Sequence, residues 1–448
     1  MKVASAKINI TTATCTVTCP SCGLLCDDVV IENNKNKIKV LKNGCAKSIN
    51  FFEQPFNDTS PQINGKPATL QQAIAHAAKL LKTSQQPLFA GLSSDVQGFR
   101  SIYNLAQKTN GSLQHMNAAS MARNIKVLQS TGWQTTTLTE VKNRADVIVC
   151  FGDIVTHNPR FFERFVDIDG MFINAKQREI IFIGENLIAS SKNSSNAATS
   201  SLLACRADDL PEITLVLRAL LAGKKLKVSE VAGVKVSDLQ VVADKLKNAK
   251  YAVLAWVAKD LDFPHAELTI QNITETVAIL NQSASNHSGR AAGLPLGGSD
   301  GDTSANNANT WLSGLALNDE AIEHDLMVLV NSFGSENFPF ETDKPLIVIG
   351  NAAPLPRYRA PSPANGRGLL TIDAAQALSP SPVCGRGVGE RGEATKTPII
   401  FIPIATPGLD CSGTLFRVDS SVILPLKKIR DNNLPTLSEV VREIEALL

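Results

Sequence analysis

The sequence predicts an α/β protein with more than one mostly parallel sheet, each covered by helices on both faces. Three observations carry that expectation. Short apolar runs without polar alternation recur along the chain, at Val147–Phe151, 180–183, 202–205, Tyr251–Val257, 326–330, 346–349 and 399–402. Amphipathic segments of helical period lie between many of them, such as 210–222, Val236–Asn248 and 434–448. Continuous apolar strands separated by helices are what a parallel sheet buried on both sides requires. The third observation is size. A chain of 448 residues, 44% hydrophobic and 19% charged, is long enough for two or three domains with real cores.

Taken in order, residues 1–55 form a small cysteine-bearing unit. Val29, Val30 and Ile31, then Ile38, Lys39 and Val40, read as short strands around a polar turn at 33–37, a β-ribbon. Thr69 with Gln72 three residues later fits a capping box. Leu70, Ala73, Ile74, Ala77, Leu80 and Leu81 then supply a helical apolar face. Pro87 precedes a strand at 88–92, and a helix follows over 95–110 with Gly111 as its stop. The expected division is 1–55, the four-cysteine ribbon; 56–140, an α/β segment of a central domain; 141–325, a Rossmann-like domain; and 326–448, a second Rossmann-like unit with a closing segment. Residues 353–397 break the pattern. They are rich in Pro, Gly, Ala and Arg and carry no period, which predicts a solvated, disordered insertion. Within it, SPSPVCGRGVGERG is similar to the translation of a bacterial genomic repeat, and its glycines do not make a GxGxxG fingerprint after a strand.

Charge excludes some functions. With 44 basic and 42 acidic residues the net charge is +2, a poor basis for bulk binding of nucleic acid or a membrane surface. The N-terminal residues hold no apolar run of signal-peptide length, and no stretch approaches a membrane span, so a cytoplasmic protein is expected.

Cysteine usage is uneven. Of nine, Cys15, Cys19, Cys22, Cys26 and Cys45 lie near the start, while Cys150, Cys205, Cys384 and Cys411 are scattered. An odd total in an intracellular chain argues against a disulfide framework. Cys150 and Cys205 sit in apolar runs and read as core thiols, and Cys15 as a spare one. The spacing Cys19-x2-Cys22-x3-Cys26-x18-Cys45 is that of a ligand set, with the ribbon returning the fourth cysteine to the first three. Four thiolates suit either a [4Fe–4S] cluster or a tetrahedral zinc ion. Such a centre would cross-link a unit too small for a core of its own. Asp27 and Asp28 read as residues that cap and orient the ribbon rather than as an acid–base pair. Lys47 either tunes a metal centre or is surface. His76 lies off its helix's apolar stripe and reads as solvated, and no HExxH or paired-histidine spacing occurs.

Beyond these signals, Cys19-Pro-Ser-Cys22-Gly-Leu-Leu-Cys26-Asp27-Asp28 resembles the N-terminal cluster motif of the formylmethanofuran dehydrogenase B subunit, within the molybdopterin oxidoreductase superfamily. The resemblance continues in order through 140–149, through Asn306 to Gly314, through 399–403, through Gly413 to Arg417 and through Pro425 to Lys428. It implies a molybdopterin-oxidoreductase-like fold and a [4Fe–4S] cluster on Cys19, Cys22, Cys26 and Cys45. It also shows departures. Ser120 and Met121 stand where the family has its metal-binding cysteine and the following histidine. Gly152 and Asp153 replace a Gly-x-Asn-Pro turn, and Gly184 and Glu185 replace an Asp-Pro-Arg, both of which meet the pterin dinucleotide in the family. These losses imply that molybdopterin or tungstopterin is absent, and His115 and His157 fall near the former pterin region.

A relative fitting this pattern is the B subunit of the bacterial formyltransferase/hydrolase complex of tetrahydromethanopterin- and methanofuran-linked formaldehyde oxidation. The resemblance then implies a non-redox structural subunit, with a zinc amidohydrolase-like A subunit, a C subunit and a formyltransferase D subunit as partners. Two alternatives stand beside it. One is an active molybdenum or tungsten dehydrogenase subunit. The other is a small-molecule binding module with a polar cavity lined by Gly152, Asp153 and Ser120.

Overall fold

The computed structural model describes residues 13–34, 36–55, 60–185, 199–283, 289–317, 320–334, 339–351, 357–358 and 398–448. Apart from residues 357–358, the insertion expected at 353–397 lies outside the described residues, as does Cys384.

Two parallel sheets organise the molecule, as the apolar runs predict. The smaller has five strands, all parallel, in the order Thr199–Ala204, Glu179–Gly184, Val147–Phe151, Tyr251–Val257, Arg290–Leu296. Strand side chains alternate between faces. Val149, Phe151, Ile181 and Leu254 therefore meet one set of helices, Leu210–Leu221, Val236–Asn248 and Glu267–Ser283. Ile148, Cys150, Phe182 and Val253 point the other way. They pack against Phe161 and Phe162 and against the N-terminal unit's Leu24, Ile31 and Phe52. Burying each such side chain contributes about 1.5–3 kcal/mol relative to exposure. The N-terminal unit thus owes its order to the sheet beneath it.

The larger sheet crosses the sequence divisions at 140 and 325. Its order is Lys66–Pro67, Gln62–Ile63, Ile399–Pro403, Leu346–Gly350, Leu326–Asn331, Pro87–Ser93, Ser112–His115. The last five run parallel and the first two form a short antiparallel edge. Segments 62–115 and 326–403 are therefore one sheet, with the five-stranded domain inserted between them. Periodicity does not reveal this, because strand partners more than two hundred residues apart leave no local signal. Helices Leu70–Thr83, Val96–Lys108, Asp302–Ser313 and Leu437–Ala446 cover one face around Phe89, Phe99, Val328 and Ile402. The capping box at Thr69 and Gln72 is present.

At the N-terminus, Ala13–Val17, Val29–Asn34 and Lys37–Lys42 make a three-stranded antiparallel sheet, followed by the helix Ala46–Phe52. The strand Ala13–Val17 is not foreseen by the sequence pattern. Among the described residues no helix is long and apolar enough to cross a membrane.

Candidate functional site

The cysteine-bearing unit is a tight knuckle. The Cys19 amide donates to the Cys26 carbonyl (2.9 Å) and that of Leu25 to the Cys22 carbonyl (3.2 Å). Gly23 presses against a turn of the neighbouring domain, its amide donating to the Gly298 carbonyl at 2.6 Å. A Cβ at residue 23 would lie 2.5 Å from the Gly297 carbonyl oxygen, so only glycine permits the approach. Cys45 precedes the helix Ala46–Phe52, where its amide donates to the Ser48 hydroxyl (2.7 Å). Ser21 reaches across to the Lys47 carbonyl (3.2 Å) and so joins the knuckle to that helix.

Cys19, Cys22 and Cys26 are buried and Cys45 is half-buried. Burial, with the neighbouring Cys26 thiol adding to it, pushes Cys22 up to about 12. Burial also raises Cys19 and Cys26, but the charges of Arg164 and Arg160 oppose the rise at Cys26. Among the described residues no group of three or more His, Cys, Asp or Glu is arranged to hold a metal ion. Cys22 lies near enough to Cys26 and Cys45, and Cys19 near enough to Cys22 and Cys26, for each thiolate to raise its neighbours.

Asp27 and Asp28 are anchors. Arg160, almost fully buried, holds Asp28 through two bonds (2.7 and 2.8 Å) and also bonds Glu163. Arg164 bonds Asp27 (2.5 Å). Burial alone would raise Asp28, but the hydrogen bonds from Arg160 and the charges of Arg164 and Arg160 outweigh it. They hold the carboxyl below its ordinary range. Arg160 immediately precedes the helix Phe161–Phe165 of the five-stranded domain, and Arg164 lies within it. Two motif carboxylates thus clamp the N-terminal unit to that domain.

A cleft of about 370 Å³ opens beyond the C-terminal ends of Tyr251–Val257 and Arg290–Leu296 in the five-stranded sheet. In open α/β sheets this is where ligands bind. Its wall includes Ser120, Met121, Asn124, Ile125 and Leu128 from the helix Ala118–Ser130. Lys259 follows the strand Tyr251–Val257, and the turn at 297–299 follows Arg290–Leu296. Lys47 and His157 complete one side.

Most of these polar groups are answered by the chain itself. The Ser120 hydroxyl donates to the Asn117 carbonyl (2.9 Å). Asn124 accepts from the Trp256 indole (2.9 Å). Asp302 is buried, and its carboxylate accepts from the amides of Ser299 (3.3 Å) and Thr303 (2.6 Å) and from the Asn117 amide group (3.2 Å). Burial raises its pKa and lowers that of His115. The buried His115 accepts the Asn117 backbone amide at Nδ1 (3.0 Å), with Nε2 3.3 Å from the Asp300 carbonyl. His157 Nε2 meets Asp260 (2.6 Å), whose other oxygen accepts the Asp153 amide (2.8 Å).

Of the sequence candidates, Ser120 and Met121 line the cleft, but Gly152 and Asp153 do not, so the cavity expected from that trio has a different wall. The reason is Asp260, which lies 3.1 Å from where a Cβ on Gly152 would stand. Asp153 caps the short helix Ile154–His157 through Thr156 (3.0 Å). Glu185 accepts the Ala207 amide (3.0 Å), following Gly184 at the end of its strand. His76 is exposed, and Lys47 donates to the His157 carbonyl (2.9 Å). Sequence reasoning missed Arg160, Arg164, Lys259, Asp260 and Asp302. The only signal for Lys259 and Asp260 is their place just beyond an apolar strand.

No established family profile matches the chain. It is 24% identical to the B subunit of the tungsten-containing formylmethanofuran dehydrogenase 2 of Methanococcus maripaludis, over 92% of this chain and 93% of that one. The corresponding protein of Methanocaldococcus jannaschii is also 24% identical, over 93% of each chain. A shorter match, 35% identical over 91 residues, is to the B subunit of the formyltransferase/hydrolase complex of Methylorubrum extorquens, covering 20% of this chain and 25% of that one. The fold is similar to a chain in the crystal structure of the formyltransferase/hydrolase complex from Methylorubrum extorquens with methylofuran. The TM-score is 0.63 at 20% identity, over 87% of this chain and 98% of that one.

Proposed function

Taking the chain as a member of the family of formylmethanofuran dehydrogenase B subunits, we propose that it is a non-redox structural subunit of a formyltransferase/hydrolase-type complex in one-carbon metabolism. The observation that carries this reading is Ser120. It stands at the position where the family's metal-binding cysteine is expected, and its hydroxyl is turned onto the Asn117 carbonyl just before its own helix. A neutral hydroxyl is a far poorer ligand for molybdenum or tungsten than a thiolate. Met121, beside it in the cleft, cannot relay a proton as imidazole does.

The other positions at which the sequence departs from the family support the same reading. Asp153 and Glu185 are engaged with the chain's own amides, and the Asp302 carboxylate sits on the amides of the turn that borders the cleft. In this reading the chain's contribution is positional. Formyl transfer and zinc-dependent hydrolysis lie on the D and A subunits, and this chain with C forms the core on which they sit.

The N-terminal cysteines are a separate question. Cys19, Cys22, Cys26 and Cys45 are the residues that would hold a [4Fe–4S] cluster, and the donor set and flanking arginines suit one. Bound there, a cluster would supply an electron relay or, with no pterin to receive electrons, a structural cross-link. A tetrahedral zinc ion on the same four thiolates would supply the cross-link alone.

The assembly purified from its source tests the reading. The chain is expected to accompany a zinc-containing hydrolase and a formyltransferase, to release formate from a formylated carrier, and to reduce no viologen dye. Dye reduction coupled to oxidation of the formyl carrier would instead support an active dehydrogenase subunit.

A further inference from the structure

The cleft beside Ser120 has donors that the chain leaves unanswered, while its two carboxylates are engaged, Asp302 by the Ser299 and Thr303 amides and Asp419 by Arg417 (2.7 Å). The helix Ala118–Ser130 runs along it, and from Ser120 to Leu128 covers about 12 Å at 1.5 Å per residue. At the Ser120 end lies Lys259, whose ammonium donates to the Asn117 side chain (3.4 Å). Lys47, also on the cleft wall, donates to the His157 carbonyl. An ammonium carries three donors, and each lysine uses one among the described residues. Toward the other end the wall offers an apolar patch beside Thr135 and Thr136. Leu128 is exposed, and Trp133 rests against Trp256 with ring centroids 5.9 Å apart.

We propose that this cleft binds a small amphipathic anion, its oxyacid head held by the ammonium groups of Lys259 and Lys47, its apolar body on Leu128 and Trp133. The ligand is a carboxylate or a phosphate monoester, which share the chemistry these groups recognise. A volume of about 370 Å³ lies at the lower end for small-molecule sites, so the ligand is compact. The proposal rests on the cleft holding no pterin.

Calorimetric titration of the full chain, in the assembly it purifies with, tests it using octanoate, octyl phosphate and octanol as probes. One anion is expected to saturate a single site per chain, at least tenfold more tightly than octanol, and the preferred anion identifies the head group. Lys259→Gln should weaken the anion about tenfold and leave octanol unchanged. Lys259→Arg, which keeps the charge, should retain most of the affinity. Leu128→Asp, an exposed position that folding tolerates, should weaken both anion and alcohol about tenfold. Pterin-free protein with no saturable anion binding, or with binding indifferent to Lys259→Gln and Leu128→Asp, would overturn this proposal alone. A pterin released on acid denaturation would overturn both it and the non-redox reading.

Discussion

The cysteine knuckle and the cleft face the same domain but treat their polar groups in opposite ways. In the knuckle, four thiols gather with Arg160 and Arg164 close by, and burial holds Cys19, Cys22 and Cys26 above the ordinary cysteine range. Among the described residues they find only single partners, such as the Ser21 hydroxyl that accepts from Cys19 Sγ (3.2 Å) and Arg164 beside Cys26. In the cleft, Ser120, Asn124, Asp302 and His115 have each found a partner in the chain. A buried polar group without a partner costs about 1–3 kcal/mol, so a site that has lost its ligand is stable only once its own groups pair with one another. On the non-redox reading proposed above, the cleft has undergone that rearrangement and the knuckle has not.

Four changes sharpen or break that contrast. The largest effect is expected from Cys22→Ser. If the knuckle is held by a metal centre, the variant should lose nearly all bound iron and its absorbance near 400 nm, about where clusters absorb. The N-terminal unit should become protease-sensitive. An unchanged metal content and cleavage pattern would make the knuckle as self-sufficient as the cleft.

Arg160→Met comes next. It leaves Asp28 and Glu163 without their buried partner and should cost about 2–3 kcal/mol, read from the denaturant midpoint. Beyond that lies a pH effect. Because the folded pKa of Asp28 is depressed, its stabilisation is complete above the ordinary value of 3.8 and is lost as pH falls through the folded value. Asp28→Asn should therefore be less stable than the parent at neutral pH, and its stability should fall less steeply below about pH 4. Parallel acid limbs would contradict the clamp. Smallest of all, Ser120→Ala should change stability by no more than about 0.5 kcal/mol and leave formate release by the complex intact. Loss of turnover would give Ser120 a task that this account denies it.

Much of this was legible in the sequence, for reasons visible in particular residues. The strands Val147–Phe151 and Tyr251–Val257 announce themselves as apolar runs because both faces of their sheet are buried. The helix Leu70–Thr83 carries its start signal in Thr69 and Gln72. The cysteines declare themselves by spacing, and Ser120 by the motif it interrupts. Long-range partners were not legible. Nothing near Asp28 specifies that Arg160, 132 residues on, will hold it. No local feature of Gly152 foretells that Asp260 will close over it. The larger sheet is hidden in the same way, since Pro87–Ser93 and Leu326–Asn331 pair across an inserted domain. A third strand of the N-terminal sheet, Ala13–Val17, went unseen because Thr14, Cys15 and Thr16 are exposed and give no apolar signal.

Elemental and pterin analysis of the purified complex tests the central claim most directly. Molybdenum and tungsten well below one atom per chain, with no guanine dinucleotide pterin released by acid, is the expected result. One heavy-metal atom per chain together with an extractable pterin would contradict it, whatever occupies the cysteines.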